Sequence, residues 1–132
     1  MNNQLIRKVL FACIENSCRS QLAESISNHF YSNQLKAYSA GSRPVRKVNP
    51  KAISSLKRIN ITHSGHTKNV KEVDNKSYDF VVAMGCGDKC PIIPNAKILE
   101  WDIPDPKSFD HVEFDKIRDL IKKNIISDLV KK

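Results

Sequence analysis

Between Cys13 and Ser20 the chain reads CIENSCRS: a cysteine, five residues, then arginine and serine. Those residue types at that spacing suit the binding of a tetrahedral oxyanion. A loop of this length can curl so that successive backbone N–H groups point inward, and a helix starting at its end adds a positive pole. Arg19 can grip two oxygens at once. The same fields are expected to lower Cys13 from the free thiol value of about 8.5, making a thiolate nucleophile available at neutral pH. Ser20 can donate a hydrogen bond to that sulfur, and Asn16 can pin the loop's backbone. The candidate oxyanion loop is Glu15, Asn16, Ser17, Cys18, Arg19 and Ser20. The bland alternative is an inert cysteine at a strand end with a surface arginine. A strand before the loop and a helix after it would decide for chemistry.

Thiolate attack on an oxyanion must expel an oxygen, and that oxygen needs a proton. The segment WDIPDP supplies Asp105, held between Pro104 and Pro106, with Asp102 as the second candidate and an ordinary turn acid as the alternative. A third feature is GCGDKCP, which places Cys86 and Cys90 three residues apart. Such a pair serves as metal ligands, as a redox couple, or as nothing in particular. Zinc needs two further ligands, and nothing in the sequence brings His63 or His66 to it. Gly85 and Gly87 permit the backbone movement that thiol chemistry there requires.

These residues need elements to position them. Lys8–Cys13 is an apolar run of strand length, and Leu22, Ala23, Ile26 and Phe30 recur at helical spacing from Arg19 to about Tyr31. Leu35–Ala40 reads as a second strand. Asn49-Pro50 opens a helix, asparagine as cap and proline at the first position, with Ala52, Ile53, Leu56 and Ile59 expected on one face. His63 to Lys76 is polar loop with a turn of helix at most. Tyr78–Met84 is a buried strand, and Ala96–Trp101 a shorter one. From Phe109 onward Val112, Phe114, Ile117, Leu120, Ile121 and Ile125 mark a long amphipathic helix. Strands alternating with helices predict an α/β three-layer sandwich: a four-stranded parallel sheet flanked by helices on both faces, as one domain over residues 1–132. Cys13, Cys86 and the Trp101–Asp105 segment all follow strands, so they belong on one rim, where ligands of such sheets bind.

The chain of 132 residues carries a net charge of +8. Its lysines and arginines are scattered, with no dense run and few aromatics between them, which speaks against nucleic acid and for a basic surface that attracts small anions. No segment has the length of a membrane span. Met1–Lys8 lacks a cleavage site, so a cytoplasmic protein is expected. Four cysteines in two tight pairs, in a chain large enough to fold unaided, favour catalysis, redox chemistry or metal binding over structural disulfides.

CIENSCRSQLAE, YSAG, NPKA, MGCGDKCP and WDIPDP, in this order over nearly the whole chain, resemble arsenate reductases of the low-molecular-weight tyrosine phosphatase fold. The active-site loop is shared with the phosphatases; the downstream cysteines separate the reductases from them. The resemblance implies that Cys13 forms a thiol–arsenate adduct, that Arg19 and the loop amides bind the oxyanion, and that Asp105 is the general acid. It implies that Cys86 attacks Cys13 and releases arsenite, and that Cys90 then takes over the bond as a Cys86–Cys90 disulfide. It further implies arsenic detoxification by a monomer with no resident metal or tightly bound cofactor, reduced by thioredoxin or by glutaredoxin with a low-molecular-weight thiol, with weak phosphatase activity beside it. A low-molecular-weight phosphatase is the alternative. The sequence departs from the family at three places. Glu15 stands where glycine is usual, so its side chain is expected to point away from the anion. The Cys86–Cys90 interval is short, which leaves the reductant open. A cation site of some members maps to Asn16, Glu24, Ser39 and Asn69, the last being acidic in those members.

Overall fold

The computed structural model describes residues 6–73, 77–85 and 93–131. Its elements follow in the order β1 (Arg7–Cys13), α1 (Arg19–Phe30), β2 (Leu35–Gly41), α2 (Pro50–Lys57), a single 3-10 turn (Val70–Glu72), β3 (Phe80–Ala83), β4 (Lys97–Glu100) and α3 (His111–Asp128). The four strands form one parallel sheet in the order β2-β1-β3-β4. Cys86 and Cys90, and with them the expected movement of their loop, lie outside the described residues.

Alternation along β1 divides the core. Val9, Phe11 and Cys13 face α1, α2 and α3, whose Leu22, Ile26, Leu56, Phe114, Ile121 and Ile125 are buried against them. Leu10 faces the other way, where Val81, Val73 and Tyr78 close the second face with the 3-10 turn. Strand β1 is buried on both sides because it is central, and each large side chain so buried contributes about 1.5–3 kcal/mol. Among the described residues the sheet's two helical layers are thus unequal: three α-helices on one face, one short turn on the other.

Helix α2 begins as expected, with the Asn49 side chain accepting from the Lys51 N–H and Pro50 in the first turn. Three apolar residues of the periodic patterns are exposed: Phe30, at the last position of α1, Ile53 and Val112. Ile53 is 39% exposed and Val112 53% exposed. With 3.6 residues per turn, Ala52 and Leu56 share the buried face of α2 and Ser55 completes it, leaving Ile53 about 100° around. Helix α3 starts later than Phe109, at the Asp110 cap, so Val112 lies in its solvent-facing first turn.

Polar ties fix α2 against α3, among them Arg118 Nη1 donating to Ser55 O at 2.9 Å. Asp115 accepts from Ser55 Oγ at 2.6 Å and from Arg58 Nε and Nη2 at 2.7 and 2.6 Å. The Arg58 hydrogen bonds hold the Asp115 carboxyl below its usual range. A carboxylate depressed in the folded state stabilises fully above its unfolded value and loses that contribution as pH falls through the folded one. Asp115→Ala is therefore expected to cost about 1 kcal/mol at neutral pH. In thermal melts, the gap in Tm from wild type should close as the buffer is taken below pH about 4. A gap independent of pH would assign the loss to packing instead.

Candidate active site

Strand β1 ends at Cys13 and α1 begins at Arg19, so the five residues between them must turn the chain at the carboxyl edge of the sheet. The carbonyls of this loop are taken up from outside. Ser42 N donates to Cys13 O, Arg43 N to Ile14 O, Val45 N to Glu15 O and Asn49 N to Ser17 O, at 2.8 to 3.2 Å. Gln21 Nε2 donates to Asn16 O at 3.0 Å. Because a trans peptide sets C=O and the next N–H in opposite directions, five outward carbonyls turn the N–H groups of Ile14 to Cys18 toward the inside. Gly41 permits this close wrap: a Cβ there would stand 2.5 Å from Ile14 O and 2.9 Å from Asn16 N.

Asn16 carries the sharpest bend, at φ 56°, in the left-handed region where asparagine is among the residues best tolerated. Its side chain is wholly buried and every bond is directed. The Oδ1 accepts from the Lys68 backbone N–H at 2.8 Å and from Gln21 Nε2 at 3.1 Å. The Nδ2 therefore donates to Ser20 Oγ, at 2.7 Å. With its lone pair so engaged, Ser20 is free to give its hydroxyl proton to Cys13 Sγ, 2.9 Å away. The Asn16 N–H donates to the same sulfur at 3.2 Å. Two donors thus converge on Cys13 Sγ and hold the sulfur at the floor of the loop.

The chain of donors starts further back. Gln21 Nε2 also donates to His66 O at 2.9 Å, which fixes its amide and leaves Oε1 to accept from His63 Nε2 at 2.9 Å. His63 Nδ1 faces Ser25 Oγ. Burial lowers the pKa of His63, with Lys68 adding to the effect and Glu24 opposing it, in keeping with a neutral imidazole carrying its proton on Nε2.

The cleft this creates is about 80 Å³ and is lined by Cys13, Ile14, Glu15, Ser17, Cys18, Arg19 and Asp105. Arg19 Nη1 donates to Ile103 O at 3.0 Å, and Nη2 lies 3.9 Å from Asp105 Oδ2. Gly85, at φ +90°, packs under the guanidinium; a Cβ there would be 2.7 Å from Arg19 Nη1. Asp105 is half exposed, and its Oδ1 accepts from Lys107 N at 3.1 Å in a short side-chain turn. Asp102 is exposed and does not line the cleft. Glu15 lines the rim, where Lys107 Nζ pairs with its Oε2 at 3.0 Å. The side chain is thus drawn toward the acid-loop lysine, which offsets its charge beside an anion. Cys18 is buried in the loop, and burial raises its thiol, an effect the Ser17 hydroxyl only partly offsets. Phe109, the aromatic residue near the acid loop, is packed on the core and lines no part of the cleft.

The four residues that resemblance assigns to a cation do not fit one. Asn16 Oδ1 already holds two donors, Glu24 Oε1 accepts from Ser39 Oγ at 2.8 Å, and Asn69 turns its side chain to cap the 3-10 turn. The ammonium of Lys68 stands among them, 3.6 Å from Glu24 Oε1. Gln21 and Lys68 were not singled out by sequence reasoning. The one available signal was a glutamine directly beside the buried Leu22 and Ala23 of an amphipathic helix.

The Cys13–Arg19 loop, the buried Ser20 and the Asp105 loop, set together at the carboxyl edge of this sheet, form a candidate thiol site. The chain belongs to the low molecular weight phosphotyrosine protein phosphatase family, whose sequence pattern matches residues 8–132. Within it, the chain is 38% identical to the arsenate reductase of Staphylococcus xylosus over 122 residues, 88% of this chain and 91% of that one. A solved arsenate reductase in a phosphate-binding state superposes with a TM-score of 0.80 at 26% identity, covering 95% of this chain and all of its own. A thioredoxin-dependent arsenate reductase of Corynebacterium glutamicum superposes at 0.76 and 27% identity, covering 96% of this chain and 63% of that longer one.

Proposed function

We propose that the chain reduces arsenate to arsenite by a three-cysteine relay, as part of arsenic detoxification. The observation that carries this reading is the Cys13 sulfur at the floor of an inward-facing amide cup, with Ser20 and Asn16 donating to it. The Cys13 thiolate attacks arsenic, Arg19 and the loop amides hold the remaining oxygens, and Asp105 protonates the oxygen that leaves. Cys86 then attacks Cys13 Sγ. The sulfur–arsenic bond breaks with its electron pair going to arsenic, which departs as arsenite, and a Cys13–Cys86 disulfide remains. Cys90 attacks Cys86, frees Cys13 and leaves a Cys86–Cys90 disulfide for an external dithiol. Two thiols are oxidised as arsenic gains two electrons, so the step balances.

The external reductant is thioredoxin or an equivalent thiol donor; the thioredoxin dependence of the Corynebacterium relative supports the first. A relay of free thiols needs a reducing compartment, so a cytoplasmic enzyme belongs to this reading. Among the described residues no helix is long and apolar enough to cross a membrane. The enzyme is proposed to act as a monomer. The family's phosphatase activity is the second reading. It shares Cys13, Arg19 and Asp105 but has no use for Cys86 and Cys90, and the small cleft, with no aromatic side chain among its described lining residues, speaks for an inorganic oxyanion.

The test is NADPH oxidation with arsenate, thioredoxin and thioredoxin reductase. Wild type should turn over, and Cys86→Ala and Cys90→Ala should not. Hydrolysis of p-nitrophenyl phosphate undiminished in Cys86→Ala, with no arsenate turnover by wild type under any thiol donor, would transfer the chain to the phosphatases. The acid has its own test. Asp105→Asn keeps an acceptor for Lys107 N but cannot give up a proton, so single-turnover arsenite release should slow about 10²-fold. A rate within twofold of wild type would send the search for the acid elsewhere.

A further inference from the structure

Behind the anion loop, away from the cleft, lies a polar cluster for which the relay has no use. Lys68 Nζ is 3.6 Å from Glu24 Oε1 and 3.5 Å from Ser39 Oγ, and donates to His66 O at 2.9 Å. The Lys68 and Glu24 side chains are each only 15% exposed, and Ser39 is wholly buried. A carboxylate, a hydroxyl and a backbone carbonyl around one positive charge make an oxygen set of the kind that holds an alkali cation. The same residue reaches the loop through its backbone, since Lys68 N donates to Asn16 Oδ1 and Lys68 O accepts from Gly41 N at 2.8 Å each. The segment carrying Lys68 is thus fastened to Glu24 of α1 by its side chain, and to β2 and the loop by its main chain.

We propose that the Lys68 ammonium is a tethered monovalent cation: it fixes the loop segment that orients Asn16, and so makes the oxyanion loop independent of any free alkali ion. Lys68 is a positioning residue, touching neither oxyanion nor sulfur. Its charge offsets the Glu24 carboxylate, which would otherwise sit poorly solvated beside the loop. Its tie holds Asn16 Oδ1 in place, and that in turn aims Asn16 Nδ2 at Ser20. Removing the ammonium leaves the oxygen donors behind, and a potassium ion then has a site.

The test uses the whole chain and does not depend on arsenate being the substrate. Iodoacetamide alkylation of Cys13, followed by peptide mass, is measured against inorganic phosphate in choline chloride and in potassium chloride of equal ionic strength. Wild type should need the same phosphate for half-protection in both salts. Lys68→Ala in choline should need about tenfold more. Potassium should bring Lys68→Ala back to within about threefold of wild type, a rescue that a merely structural lysine would not give. Lys68→Met, which keeps the apolar stem, should match the alanine variant in choline if the charge is what matters. Wild-type protection that improves severalfold with potassium would overturn the proposal, because the site would then be open to a free ion. So would a Lys68→Ala protein that protects normally in choline. The wild-type comparison stands even if a variant fails to fold.

Discussion

Cys13→Ser is expected to abolish arsenate-dependent turnover, a loss of about 10⁴-fold or more, while the fold and the anion loop persist. Serine fits the same space and can keep the bonds that Ser20 and the Asn16 N–H make to the sulfur. A serine hydroxyl is a far weaker nucleophile than a cysteine sulfur, and it can form no disulfide, so both attack and relay fail together. The neighbouring thiol is the control. Cys18 lines the same cleft, but burial raises its thiol pKa, and the charges of Asp105 and Cys13 push in the same direction. It is therefore held protonated and unreactive. Cys18→Ser should turn over within about threefold of wild type. Steady-state NADPH oxidation of the two variants, with phosphate protection as a check on the loop, separates them. Equal loss in both would mean that the sequence position of the nucleophile has been misread.

The first unit of the fold was readable because its signals are local. An apolar strand, a polar turn and a helical repeat occupy residues 7–30 without a gap, and the chemistry sits at their junction. The cap of α2 was equally plain, since Asn49-Pro50 carries its own geometry. What the sequence concealed comes from residues far apart. The amide cup owes its direction to Ser42, Arg43, Val45 and Asn49, which take its carbonyls from a segment some thirty residues downstream. Nothing in those residue types announces it, because the donors are backbone N–H groups that any residue supplies. The close approach of Gly41 to Ile14 and Asn16 is a tertiary fact. Lys68 read as one more cation in a polar loop, and only the fold sets it against Glu24 and Ser39. The misplaced faces of Ile53 and Val112 have a simpler origin. Ile53 lies about 100° around α2 from Ala52, and Val112 sits in the first turn of α3, so each satisfies a periodic pattern without facing the core.

Arg19→Lys should lower kcat/KM by about 10²–10³-fold although the charge is retained. The arginine has two tasks that one ammonium cannot share. Its Nη1 is anchored on Ile103 O at 3.0 Å, which leaves the other edge of the planar guanidinium for two oxygens of the oxyanion. Lysine must choose between anchor and ligand, and its flexible stem gives up the alignment that matters most as charge develops on the leaving oxygen. Gly85→Ala reaches the same group from below. Its new Cβ would stand 2.7 Å from Arg19 Nη1, and the residue would be held at φ +90°, so the guanidinium must move or the turn must strain. A loss of about tenfold is expected for Gly85→Ala alone. The double variant separates the two causes. If Gly85 acts by seating Arg19, then adding Gly85→Ala to Arg19→Lys costs little more, because the shorter ammonium has already left the contested space. If the two losses multiply in full, Gly85 acts elsewhere. The nearest such place along the chain is Cys86, the next residue and the proposed second member of the relay.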